Sequence, residues 1–157
     1  ALVIPGHLID AHSAPNAKKQ AATFAKETQE VERRAVEATL VAERALGRVP
    51  EEMPRNNPGF DIRSTDPADP LAHRYYLEVK GRIAGSNTFT ITNSEINFAQ
   101  NHKDTHRLVL VSVHPDGPEF DEVRYVTHAF DDMEASMSTH SRNEKWSHYW
   151  GQGGAPV

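Results

Sequence analysis

The sequence predicts an α/β fold in which a mixed central sheet of about five strands is flanked by helices. Three observations carry this. A run of 26 residues from Ala21 to Leu46 is dominated by Ala, Glu, Arg and Leu and contains neither Gly nor Pro. Short β-type runs follow at 60–63, 74–80 and 88–92. Residues 107–113, RLVLVSV, form a nearly continuous apolar stretch, the pattern of a strand buried on both faces.

Residues 1–20, with the apolar patch LVIPGHLI and a Ser/Pro/Asn loop, are expected to be a lead or linker from a larger parent. The opening Ala in place of Met suggests a processed product or a piece of something longer. The helix from 21 to 46 is closed by Gly47 and Pro50. At 100° per residue it places Val31, Ala35, Ala38, Val41, Ala42, Ala45 and Leu46 on one stripe, which is expected to face the core. Glu32 falls at the margin of that stripe, and Glu37 and Arg44 fall on the far side.

GRVPEEMPRNNPG reads as a linker. The three β-type runs after it are expected to make an antiparallel meander, with 64–72 a Pro/Asp-rich loop and GRIAGSN a turn region. TNSEINFAQNHK is a short helix with Asn93 or Ser94 as its cap and Ile96, Phe98 and Ala99 inward. EVRYVTH, 122–128, alternates as a half-exposed neighbour of 107–113 would. One domain is expected over 21–150, with Trp146 or Trp150 anchoring its end, and 151–157 as a flexible tail.

At 157 residues, 38% hydrophobic and 25% charged, the chain has enough apolar material for one core. It has no Cys, which excludes disulfides and thiolate metal sites and fits a cytoplasmic location. The formal charge of −5 gives no bulk attraction to phosphate, so DNA binding would need a local basic patch or a metal. No apolar run reaches the roughly 20 residues of a membrane helix.

The chemistry is concentrated in NNPGFDIRSTDPADPLAHRYYLEVKG. Strand alternation puts Tyr75, Leu77 and Val79 on one face of the 74–80 run and Tyr76, Glu78 and Lys80 on the other. Glu78 and Lys80 are then about 7 Å apart along the strand. Asp61 converges on them if its strand pairs alongside. Two carboxylates at a sheet end suit a hard divalent cation, and a neighbouring ammonium suits an anionic transition state. The competing interpretation is a solvated hairpin face with ordinary ion pairs. Arg74, Lys80 and Arg82, with Arg63 nearby, are candidates for a small basic rim against a nucleic-acid backbone. His102 and His106 have i, i+4 spacing, but no downstream carboxylate completes a zinc set. GRIAGSN has too few glycines for a phosphate loop.

The order helix, Asp strand, Glu-x-Lys strand, helix, strand resembles the PD-(D/E)xK nuclease superfamily. More narrowly, EVERRAV, NNPGFDIRS, YYLEVKGR, FTITNSEINFA and RLVLVSV, in that order, resemble the NO VEIN C-terminal domain family, a domain of unknown function. The likeness runs over about residues 28–130. It implies a restriction-endonuclease-like core and a Mg²⁺ or Mn²⁺ cofactor. By position it implies Glu32 as the helix acid, Asp61 and Glu78 as metal ligands with the Val79 carbonyl, and Lys80 as the catalytic lysine. It also implies DNA as substrate and a parent chain with Swi/Snf-type helicase or other ATPase domains, or a phage-defence protein. A homodimer would suit cutting of both strands. The alternative is a non-catalytic module that keeps the fold and recognises DNA or protein. The superfamily's Pro before the Asp is replaced by Gly59-Phe60.

Overall fold

The computed structural model describes residues 7–134, 136 and 138–157. Its elements in chain order are α1 (His7–Ala45), β1 (Val49–Glu52), β2 (Ile62–Thr65), β3 (Arg74–Ile83), β4 (Thr88–Thr92), α2 (Asn93–Asn101), β5 (His106–Val113), a single 3₁₀ turn (Pro118–Phe120), β6 (Glu122–Val126), β7 (Ser141–Lys145) and α3 (Trp146–Gln152). Five strands form one mixed sheet in the order β1-β2-β3-β5-β6, and β4 pairs with β7 in a separate ribbon. The expected mixed α/β class with a five-stranded sheet and flanking helices is therefore what the chain adopts. No helix among the described residues is long and apolar enough to cross a membrane.

The sheet's membership differs from the expectation. Residues 88–92 do not continue a meander from β3; they leave it and pair antiparallel with β7. One edge of β3 is taken by β2, antiparallel, and the other by β5, parallel. β5 is apolar on both faces: Leu108 and Leu110 enter one core cluster while Val109, Val111 and Val113 enter the other. Between β3 and β6, with a core cluster above and below the sheet, it is covered on both faces. TFTIT has one apolar face, Phe89 and Ile91, and a two-stranded ribbon laid against the core is enough for it. The antiparallel meander is instead β1-β2-β3, with β1 drawn from the stretch read as a linker. Pro50, Glu51 and Glu52 conceal that strand in the sequence, yet Pro and charge are what a sheet edge tolerates and uses against stray pairing.

The first helix also departs from the reading. It begins at His7, so its helix-forming segment AKKQAA runs back through residues expected to be loop; residues 1–6 of the expected lead lie outside the described residues. At about 1.5 Å per residue it is roughly 58 Å long, and it meets the sheet from Val31 onward. Its inward face is rotated from the expected stripe. Ala35, Thr39, Leu40 and Glu43 are buried, whereas Val41 is 61% exposed. Polar residues occupy the inner face because each is satisfied there: Thr39 donates to the Ala35 carbonyl, and Glu43 accepts from the Tyr125 hydroxyl at 2.6 Å and from Arg48.

An apolar cluster covers each face of the sheet. Ala35, Ile62, Leu77 and Tyr125 lie with the three β5 valines under α1, and Ile96, Val126, Phe130 and Tyr149 lie with Phe89 and Ile91 on the other side. Each fully buried aliphatic side chain contributes about 1.5–3 kcal/mol. Trp146 and Trp150 pack at the edge of the second cluster, stacked with ring centroids 5.4 Å apart, and Arg124 lies 4.4 Å over the Trp150 ring. Beyond α3, Gly154 and Tyr125 exchange two backbone hydrogen bonds.

Helix α1 crosses β3 at Gly81, on the face that alternation assigned to Leu77 and Val79. A methyl group there would lie 2.5 Å from the Ala35 Cβ and 3.1 Å from the Val31 carbonyl oxygen. Neither neighbour has a flexible end to move, so the helix itself must shift. Gly81→Ala is expected to lower stability by about 1–3 kcal/mol, measured by urea unfolding, whereas Gly151→Ala, with nothing within 4 Å, should stay within about 0.5 kcal/mol. Equal behaviour of the two variants would contradict the close helix approach.

Candidate active site

The alternation of β3 holds. Glu78 and Lys80 lie opposite Leu108 and Leu110 in the parallel register and so point to the α2 side of the sheet. Asp61 arrives one residue before β2. Its N–H donates to the Leu77 carbonyl and its carbonyl accepts from Met53 N–H, each at 2.8 Å, so its backbone is held from both sides. The turn that delivers it needs Gly59, which has φ +95° and leaves no room for a Cβ against the Phe98 ring. Asn57 Nδ2 closes the same turn on the Phe60 carbonyl at 2.9 Å. The Asp61 carboxylate then accepts from Val79 N–H at 2.8 Å.

Lys80 Nζ stands 2.7 Å from Glu78 Oε1 and 3.1 Å from Glu95 Oε2. Glu95 is the third residue of α2, and the cap before it is Thr92, one residue ahead of the expected Asn93. The pair forms a capping box: Thr92 Oγ1 accepts from Glu95 N–H, and Glu95 Oε2 accepts from Thr92 N–H at 2.9 Å. Thr92-x-x-Glu95 was legible as that motif. Its second role, on the lysine, depends on where α2 docks, which no local pattern states.

These groups line a cleft of about 400 Å³ together with Glu32 and Arg55. Glu32, half exposed on α1, stands at its mouth 3.6 Å from Arg55. Arg82 also borders it, with its guanidinium donating to the Thr88 and Gly81 carbonyls at 2.9 Å. Arg63 is turned to Glu51 at 2.5 Å, and Arg74 is exposed where β3 begins. Of the three arginines expected to form a basic rim, Arg82 alone lines the cleft. Arg55, hidden in the supposed linker, is the other arginine there. His102 and His106 form no metal pair: α2 ends at Asn101, His102 stacks on Phe98 at 4.0 Å, and His106 is buried beside Phe98 and Phe130.

The site is short of positive charge. Burial pushes the Glu78 carboxyl well above its ordinary range; Lys80 opposes this, and Asp61 and Glu95 add to it. Burial likewise raises Asp61, against the Val79 N–H and Lys80. Burial acts against the Lys80 ammonium too, but Glu78 and Glu95 outweigh it and hold the lysine above its usual value. A divalent cation between Asp61 and Glu78 would relieve the crowded carboxylates, and an all-oxygen donor set suits Mg²⁺ or Mn²⁺. Among the described residues no three His, Asp or Glu side chains form a ready cage. Mg²⁺ needs none, since one or two carboxylates with waters suffice.

The family model described as "Protein NO VEIN, C-terminal" matches residues 31–126. No curated protein and no solved structure matches the chain. The matched span begins where α1 reaches the sheet and ends with β6, so it contains all five strands of the sheet and every residue of the cleft. The chain belongs to the NO VEIN C-terminal family.

Proposed function

We propose that the domain is a metal-dependent, nuclease-like DNA phosphodiesterase of the PD-(D/E)xK kind, working within a larger cytoplasmic helicase-related or phage-defence protein. The observation that carries this reading is the convergence of Asp61, Glu78 and Lys80 on one cleft, with Lys80 Nζ 2.7 Å from Glu78. The order α1, antiparallel β1-β2-β3, α2 and parallel β5 supports it.

Asp61 and Glu78, with the Val79 carbonyl, would hold Mg²⁺ or Mn²⁺, which when bound supplies a polarised phosphoryl oxygen and an activated water. Lys80 orients the attacking water and offsets charge developing on the phosphate. Glu32 faces the same cleft from α1 and completes the acid set. Arg82 and Arg55 meet the substrate's backbone at the cleft border, as point contacts that position without reading sequence. Two copies of the domain would serve to cut both strands.

The second reading, a recognition module without catalysis, is favoured by the −5 charge and by the engagement of Arg63 with Glu51. The two separate in one assay. Supercoiled plasmid is incubated with Mn²⁺ and wild type, Lys80→Ala or Asp61→Asn, at a temperature where circular dichroism shows each protein folded. We expect nicking by wild type and a loss of roughly 10²–10³-fold in both variants. Equal nicking by all three would mean a contaminant, and DNA retardation without nicking would favour the second reading.

A further inference from the structure

We infer that Glu95 is a positioning residue, holding Lys80 from the side opposite Glu78 so that Glu78 is free to take a cation while the lysine stays in the cleft. This rests on the phosphodiesterase reading of the same cleft. The Glu95 carboxylate is fixed by the backbone around it: Oε2 accepts from Thr92 N–H at 2.9 Å, and Thr92 Oγ1 accepts from Glu95 N–H in return. A carboxylate tied into a helix cap cannot follow a moving lysine; the lysine must come to it. Lys80 does so at 3.1 Å while also touching Glu78 at 2.7 Å.

One ammonium therefore bridges two carboxylates on different elements, β3 and α2. A cation on Asp61 and Glu78 takes the Glu78 oxygens and repels the ammonium beside them. Without Glu95 the lysine would either compete with the cation for Glu78 or swing out to water. With Glu95 it keeps a charged partner and remains beside the metal. Glu95→Gln isolates this role, because Gln serves a capping box as Glu does. The cap survives and the charge is lost.

The test is a double-mutant cycle on Mn²⁺ affinity, measured by calorimetry on wild type, Glu95→Gln, Lys80→Met and the double variant, at a temperature where circular dichroism shows all four folded. We expect Glu95→Gln to weaken Mn²⁺ binding roughly tenfold, the usual size for a residue acting through a ligand's neighbour, with its thermal midpoint close to wild type. In the Lys80→Met background the same change should weaken binding less than about twofold, since no ammonium is left to hold. Wild type that binds no Mn²⁺ defeats the metal reading and the inference together. Wild type that binds, with Glu95→Gln binding as tightly, defeats the inference alone. An equal loss in both backgrounds would mean that Glu95 acts on the cation by its own charge. A Glu95→Gln protein unfolded at every temperature would make Glu95 structural. Either result overturns the positioning role.

Discussion

Lys80→Met is expected to destabilise the domain by about 3–5 kcal/mol at pH 8, and by much less at pH 5. The side chains of Lys80 and Glu78 are only 14% and 4% exposed, so water does little to screen what the substitution leaves behind. Removing the ammonium leaves Glu78 buried beside Asp61 and Glu95 with no charged partner in contact. Glu78 must then either stay charged without compensation or take up a proton against the pH. Its folded pKa is already above the ordinary carboxylate value, and loss of Lys80 raises it further. A carboxyl with a raised folded pKa binds more protons folded than unfolded, so its contribution falls as pH rises. Each unit by which the pH exceeds the ordinary carboxylate value, up to the folded pKa, costs about 1.4 kcal/mol. The deficit of Lys80→Met should therefore shrink steadily on acidification. Glu78→Gln in the same background should recover most of it, since the charge has been removed with its partner. Urea unfolding of the single and double variants at the two pH values measures this. A Lys80→Met protein as stable as wild type at pH 8 would show the pair to be solvent-screened surface charge.

The readable part of the site is the part with a period. Alternation along YYLEVKG assigned Leu77 and Val79 to one face and Glu78 and Lys80 to the other, and both assignments hold: Leu77 and Val79 pack under α1, and Glu78 and Lys80 meet on the α2 side. Asp61 was reachable because Pro58-Gly59 announces the turn and Gly59 is required by the Phe98 ring. Choices between competing partners were not readable. TFTIT and RLVLVSV could each take the free edge of β3, and the decision rests on which burial is larger over the whole fold, with β5 covered on two faces and β4 on one. The same holds for α1. Val41, expected on the inward stripe, is exposed, and Glu43 is buried because Tyr125 and Arg48, distant in sequence or past the helix end, satisfy the acid.

Glu95 shows the limit most clearly. As part of Thr92-x-x-Glu95 it has a complete local explanation, the capping box, and that explanation is correct. A residue with a sufficient local role gives no sign of a tertiary one. Arg55 is the converse: nothing local distinguishes it within PRNNPG, and only the approach of α1 to the turn before Asp61 puts it at the cleft beside Glu32. Sequence patterns thus identified the acids and the lysine on one strand and its turn. Helix periodicity put Glu32 at the margin of the α1 stripe, where it reaches the cleft, whereas Glu95 and Arg55 come from α2 and the segment between β1 and β2.

His106→Leu is expected to flatten the acid sensitivity of the fold. His106 is 2% exposed, packed beside Phe98 and Phe130, and its Nε2 is buried with no hydrogen-bond partner among the described residues. Burial depresses its pKa from 6.5 to about 4, and Arg107 and His102 add to the effect. In the unfolded chain the imidazole binds a proton below about pH 6.5, while in the fold it stays neutral until about pH 4. The unfolded state therefore binds more protons across that window, so the histidine's contribution is intact above 6.5 and lost as pH falls toward 4. Over the full window the loss comes to about 3 kcal/mol, or roughly 6–12 °C in thermal midpoint for a domain of this size. Asp61 and Glu78, with raised values, pull the opposite way in acid, and the other histidines add their own slopes. All of these terms are common to wild type and variant and cancel in the difference between them. Midpoints measured from pH 7.5 to 4.5 should show wild type losing more than His106→Leu, with the gap opening below pH 6.5. His106→Phe, filling the same aromatic pocket, should show the same reduced slope even where overpacking lowers its midpoint at every pH, because the comparison is of slopes. Parallel curves for all three proteins would mean that the imidazole takes up its proton in the folded state as readily as in the unfolded one.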